Sequence, residues 1–113
     1  MLPLSDNLAA ARIAELKLQS SAHNTANLNT EGFQAQRVTQ STTPGGEGLQ
    51  AHVSPTQAPA PVILRDGQLR TLSNTELTRE TINHVEAAAA FRSNMGVMQV
   101  HDKLTEAVLD IVA

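Results

Sequence analysis

Apolar residues recur at helical spacing near both ends of this chain and lose that period in the middle. Residues 5–28 contain neither Pro nor Gly, residues 42–72 hold four of the five prolines and four of the six glycines, and residues 75–113 contain one glycine and no proline. This pattern predicts a helix, a non-helical insert and a long second helix. At 100° per residue, Leu4, Leu8, Ala11, Leu18, Ala22 and Ala26 share one side of the first helix, and Ala9, Ile13 and Leu16 lie nearly opposite. Ser5 and Asp6 are expected to cap it and supply an acidic first turn.

The last segment also carries two stripes. One heptad phase places Leu77, His84, Phe91, Met98, Thr105 and Val112 at a, with Thr81, Ala88, Met95, Asp102 and Leu109 at d. The second stripe runs through Ile82, Val85, Ala89, Ser93, Gly96, Val100, Leu104, Ala107 and Ile111. Asn74 or Thr75 is expected to cap this helix, which reaches about 55 Å if it runs to Val112. A helix apolar on two sides suits neighbours on two sides. The expected assembly faces are therefore Leu8, Ile13, Leu16, Leu18, Val85, Met95, Met98, Val100, Leu104 and Ile111, one stripe packing within the subunit and the other against a neighbour.

The expected fold is mainly α: two long antiparallel helices in a coiled-coil-like pair, joined by extended chain with one small hairpin. Residues 1–40 form the N-terminal helix and an Asn-rich turn, 41–74 the insert, and 75–113 the C-terminal helix. Residues 42–61 read as loop or extended chain. The hairpin is placed at Val62–Arg65, Asp66-Gly67 and Gln68–Leu72, because Asp-Gly favours a two-residue turn with positive φ at both positions. Asn24 to Phe33 is dense in residues that compete for backbone hydrogen bonds, so the first helix ends there in a tight turn with Gly32 at positive φ.

Composition narrows the function. The chain has 113 residues, of which 41 % are apolar but only Phe33 and Phe91 are aromatic, and there is no cysteine. Disulfides and thiolate chemistry are excluded. Eight Lys and Arg against eleven Asp and Glu give a net charge of −3 without a basic cluster, which argues against nucleic-acid binding. No run of apolar residues is long enough to span a bilayer, and MLPLSDNLAA lacks the features of a cleaved signal peptide.

No catalytic, cofactor-binding or metal set is read from the chain. His84 and His101 are separated by roughly 25 Å along one helix. The pairs Glu76/Glu80 and Glu106/Asp110 read as solvated faces rather than acid–base dyads. The three glycines at 45, 46 and 48 precede no Gly-Lys-Ser/Thr and are not a phosphate loop. The chain is expected not to be an enzyme.

Two motifs resemble those of the bacterial flagellar rod, hook and hook-associated proteins. The family pattern A-x-N-I-A-N-x-N-T-x-G-[FY] ends an N-terminal helix; here Asn24, Ala26, Asn27, Asn29, Thr30, Gly32 and Phe33 match it, while Thr25 replaces Ile. A second pattern, Asn-x-x-[LV]-x-x-E-M followed by A-x-R-x-[YF]-x-x-N, is matched by Asn74, Leu77, Glu80, Ala87, Phe91 and Asn94, with Thr81 in place of Met and Ala89 in place of Arg. The resemblance covers about residues 4–40 and 66–113, and the short insert looks most like the small proximal-rod proteins. It implies paired terminal helices that polymerise into a periplasmic tube transmitting torque. The implied partners are copies of the chain, other axial proteins of the flagellum and the flagellar type III export apparatus, reached without a cleaved signal. The competing reading is a small helical adaptor or chaperone that binds partner helices, which leaves the Asn-rich turn unexplained.

Overall fold

A computed structural model describes residues 4–113. The first three residues of the N-terminal segment lie outside the described residues. The order is α1 (Leu4–Ala26), β1 (Gln36–Thr42), β2 (Leu49–Pro55), β3 (Val62–Arg65), β4 (Gln68–Thr71) and α2 (Leu77–Val112). Helix accounts for 54 % and strand for 20 %. The expectation of a mainly α fold with a single hairpin is therefore wrong. The molecule has two separate two-stranded antiparallel sheets, β1–β2 and β3–β4, between its helices.

The unexpected sheet occupies chain read as loop. Gln36 pairs with Pro55 and Thr42 with Leu49, and Thr43 to Gly48 form the connection. β1 carries a single apolar residue, Val38; β2 does alternate, with Leu49, Ala51 and Val53 separated by Gln50, His52 and Ser54, but its setting among prolines and glycines favours a loop reading. Their pairing rests on backbone bonds, on Val38 opposite Val53, and on the Pro-Gly-Gly turn between them. The β3–β4 hairpin has Val62 opposite Thr71 and Arg65 opposite Gln68. Asp66 (φ 52°) and Gly67 (φ 74°) both take positive φ, as its two-residue turn requires.

The helices run antiparallel: Ser21 and Asn24 near the end of α1 meet Glu80 in the first turn of α2. They do not meet through the expected apolar stripes. The buried positions of α1 are Asn7, Ala11, Ile13, Ala14, Ser20, Ser21 and Asn24, and those of α2 are Glu80 and Ala87. Asn7, Ala14, Ser21 and Asn24 fall between the two apolar stripes of α1. Small side chains allow close approach of the helix axes; of the larger flanking residues Ile13 is buried, Leu16 and Leu18 are half-buried, and Leu4 and Leu8 are left toward solvent. The buried apolar core comprises Ala11, Ile13, Ala14, Ala35 and Ala87.

Two helix starts also differ from expectation. Ser5 lies inside the first turn of α1 rather than capping it. Helix α2 starts after Glu76, which makes no side-chain cap bond, and neither Asn74 nor Thr75 caps it. Asn74 is engaged elsewhere, and Thr75 is tied to Ser73.

Helix α2 has 36 residues against 23 in α1, so its last third projects beyond its partner. The radius of gyration is 19.8 Å and the extents are 78 × 28 × 15 Å. A compact chain of this size has a radius near about 13 Å. Along the projecting part, Val100, Leu104, Val108, Leu109, Ile111 and Val112 are all exposed.

Candidate functional site: a buried polar junction beside an open groove

Three polar residues that the two motifs supply, Asn24, Asn74 and Glu80, meet at one junction. Asn24, 1 % exposed, sits two residues before the end of α1. Its Nδ2 donates to the Gln36 carbonyl at 2.8 Å and to Glu80 Oε1 at 3.1 Å. Its Oδ1 accepts from the Gln36 amide at 2.7 Å. The side-chain amide thus pairs with both backbone groups of Gln36, as a neighbouring strand would. Ser21 Oγ donates to the Glu80 carbonyl at 2.8 Å.

Asn74 holds the other side of the junction. Its Oδ1 accepts from the Ala35 amide at 2.6 Å, and its Nδ2 donates to the carbonyls of Thr56 and Ala58 at 3.1 and 3.0 Å. One side chain thereby ties the start of β1 to the chain leaving β2 and to the segment leading into α2. The Asn74 amide also donates to the Phe33 carbonyl at 3.2 Å. The Ala35 amide is a buried backbone group that would otherwise lack a partner.

Glu80 is buried (4 % exposed), and its Oε2 has no hydrogen-bond partner among the described residues. A buried carboxylate with one neutral donor is a costly group. It faces a groove of about 670 Å³ whose floor is Ala10, Ala14, Lys17, Ser20, Ser21 and Asn24 of α1. One wall is Gln36 to Val38 and Gln40 of β1, and the other is Arg79, Asn83, Glu86, Ala90 and Asn94 of α2.

The turn that follows α1 is held by its own side chains. Asn27 Nδ2 donates to the His23 carbonyl at 2.9 Å and Thr30 Oγ1 to Asn27 Oδ1 at 3.0 Å. Gly32 has φ 71°, and its amide donates to the Thr71 carbonyl at 2.9 Å, joining the turn to β4. Phe33 meets the His23 ring edge-on at 5.4 Å. Glu31 pairs with Arg65 and Arg70 across exposed surface, a further tether for the hairpin.

Of the motif residues, the structure brings Asn24, Asn74 and Glu80 into one connected cluster, with Ala87 buried two turns further along the same face of α2 as Glu80. Ala26, Asn29, Thr30 and Leu77 are exposed, and Asn27, Phe91 and Asn94 are half-buried. Among the expected assembly faces, Ile13 is buried, Leu16, Leu18 and Met98 are half-buried, and Leu8, Val85, Met95, Val100, Leu104 and Ile111 are exposed. Ser21, Ala35 and Gln36 belong to the junction but carry no pattern that singled them out; Ser21 gives only a hydroxyl, and the backbone groups of Ala35 and Gln36 are invisible in side-chain spacing. Among the described residues, no group of three or more His, Asp or Glu could hold a metal ion, and no helix is long and apolar enough to cross a membrane.

No protein-family model matches this chain, and no curated protein sequence matches it.

Proposed function

We propose that this chain is a non-catalytic structural subunit of the bacterial flagellar rod, which polymerises through its terminal helices into the axial tube. The observation that carries the reading is the meeting of two distant motifs in one junction. Asn24 from the first and Glu80 and Asn74 from the second share a network in which Asn24 and Asn74 bind backbone on both sides of β1. The motifs thus have a physical role, which is to close the two ends of the chain into one unit.

The surface fits a subunit better than a finished globule. Both apolar stripes of α2 are largely exposed, and its last third has no partner among the described residues. Such an extent of exposed apolar side chain marks an interaction surface. In the proposed role this surface packs against copies of the chain and neighbouring axial proteins, after export through the type III apparatus without a cleaved signal. The alternative of an adaptor for partner helices uses the same exposed stripes.

Electron microscopy and sedimentation of the full chain, alone and with flagellar axial proteins, separate the two. Filaments or stacked rings support the rod subunit. A discrete complex of fixed stoichiometry with one helical partner supports the adaptor.

A further inference from the structure

The Asn24–Gln36 pair fixes which way the backbone of β1 points. Both backbone groups of Gln36 bond to Asn24, away from β2, and Ala35 accepts from the Thr56 amide on the opposite side. In an antiparallel ladder these directions alternate, so Val38 and Gln40 also point outward, on the Asn24 side. Neither makes an outward hydrogen bond to a described residue. The free edge of β1 therefore borders the groove, with Asn24 occupying its first position.

The β3–β4 hairpin has the complementary deficiency. It packs against no other helix or strand, and an isolated two-stranded hairpin is marginal in water. The Leu72 amide donates to the Pro61 carbonyl within the hairpin, and the Thr71 carbonyl is taken from outside by Gly32. By the same alternation, the outer edge of β4 is engaged at Thr71, and the outer edge of β3 is free at Val62 and Leu64. Val62, Leu64 and Leu69 share one face of this hairpin and are 56, 71 and 76 % exposed.

We infer that β3 of a second copy adds to the edge of β1 in the groove, forming the sheet β2–β1–β3–β4 across two chains. This deepens the proposed function and rests on its premise that the chain self-assembles. Of the outward positions of β1, Val38 and Gln40 line the groove, and their spacing equals that of Val62 and Leu64 on β3. Antiparallel pairing sets Val38 opposite Leu64 of the second copy and Gln40 opposite Val62 of the second copy, giving four backbone hydrogen bonds. The apolar face of the incoming hairpin covers a groove whose floor includes the small side chains of Ala10 and Ala14. Within one chain β1 and β3 do not touch. Because the two surfaces differ, each contact leaves one free β1 edge and one free β3 edge, and repetition builds a ring or a helical filament.

The chain has no cysteine, so single cysteines report the contact cleanly. In this register Thr39 lies directly opposite Ile63 of the second copy, at a spacing of about 4.5 Å between Cα atoms, which suits a disulfide. Full-length Thr39→Cys and Ile63→Cys proteins, mixed and oxidised, should yield the mixed disulfide about tenfold above either homodimer. Gln40→Pro removes one outward N–H and leaves the β1–β2 ladder intact, since proline is tolerated on an edge. It should weaken self-association about tenfold or more with unchanged helical circular dichroism. Mixed disulfide no more abundant than the homodimers, or normal association of Gln40→Pro, overturns the β1–β3 contact. If the wild-type chain still assembles in that case, the rod reading stands. A wild-type chain that stays monomeric alone and with axial partners removes both.

Discussion

Asn24 and Glu80, 56 residues apart in sequence, meet through a 3.1 Å bond from the side-chain amide to the carboxylate. The same amide also holds both backbone groups of Gln36. One asparagine thus joins α1, β1 and α2, in a molecule whose buried apolar core consists of four alanines and an isoleucine. With so little apolar area to bury, polar satisfaction carries an unusual share of the specificity.

Replacing Asn24 by Ala orphans Glu80 Oε1 and both groups of Gln36. The cost should be about 1–3 kcal/mol or more. Glu80→Gln retains an acceptor toward Asn24 and removes a buried charge, so it should be neutral or stabilising. Urea unfolding of the full-length variants, followed by circular dichroism, reads both effects. An equal loss in the two variants would show that the carboxylate charge itself is required.

Asn74→Ala should release three backbone groups at once, at Ala35, Thr56 and Ala58. The most direct readout is the Ala35 amide. Its hydrogen exchange should accelerate by about tenfold for each 1.4 kcal/mol lost from the clamp, while amides in the middle of α2 change much less. Unchanged protection at Ala35 would contradict the clamp.

Gly32 adopts φ 71°, and a Cβ built there meets nothing within 4 Å. Any cost of substitution is therefore backbone strain and not a clash. Gly32→Val should lose about 1–2 kcal/mol, and Gly32→Asn distinctly less, because Asn tolerates the left-handed region. Thermal or urea unfolding of the pair gives the comparison, and equal losses would point to a different cause.

Val100 is 56 % exposed on the outer stripe of α2. Val100→Asp should change monomer stability by no more than about 0.5 kcal/mol, yet block assembly by placing an unpaired charge in an interface. Phe91 is only half-buried, so Phe91→Ala should cost the monomer well under the roughly 3–5 kcal/mol typical of a fully buried Phe. Sedimentation with axial partners, beside monomer unfolding, separates the two quantities. Normal assembly of both variants would make α2 a spacer instead of an interface.

Local chemistry made part of this architecture legible in the sequence. Helical composition located both helices, the Asp66-Gly67 pair located β3–β4, and the Asn-rich stretch with Gly32 located the turn, because each is dictated by the φ and ψ preferences of nearby residues. The tertiary structure alone decided the rest. Strand β1 is polar apart from Val38 and is held by backbone bonds, which leave no period-two signature, and the short Leu49, Ala51, Val53 alternation of β2 is masked by the prolines and glycines around it. The helix interface uses Asn7, Ala14, Ser21 and Asn24 rather than the apolar stripes, since close packing of small residues with satisfied polar groups outweighs the larger side chains beside them. Sequence spacing showed Asn24, Asn74 and Glu80 as members of separate patterns. Only folding brings Asn24 to Glu80 and both asparagines to the backbone around β1, because the direction of those groups is set by strand pairing and helix docking.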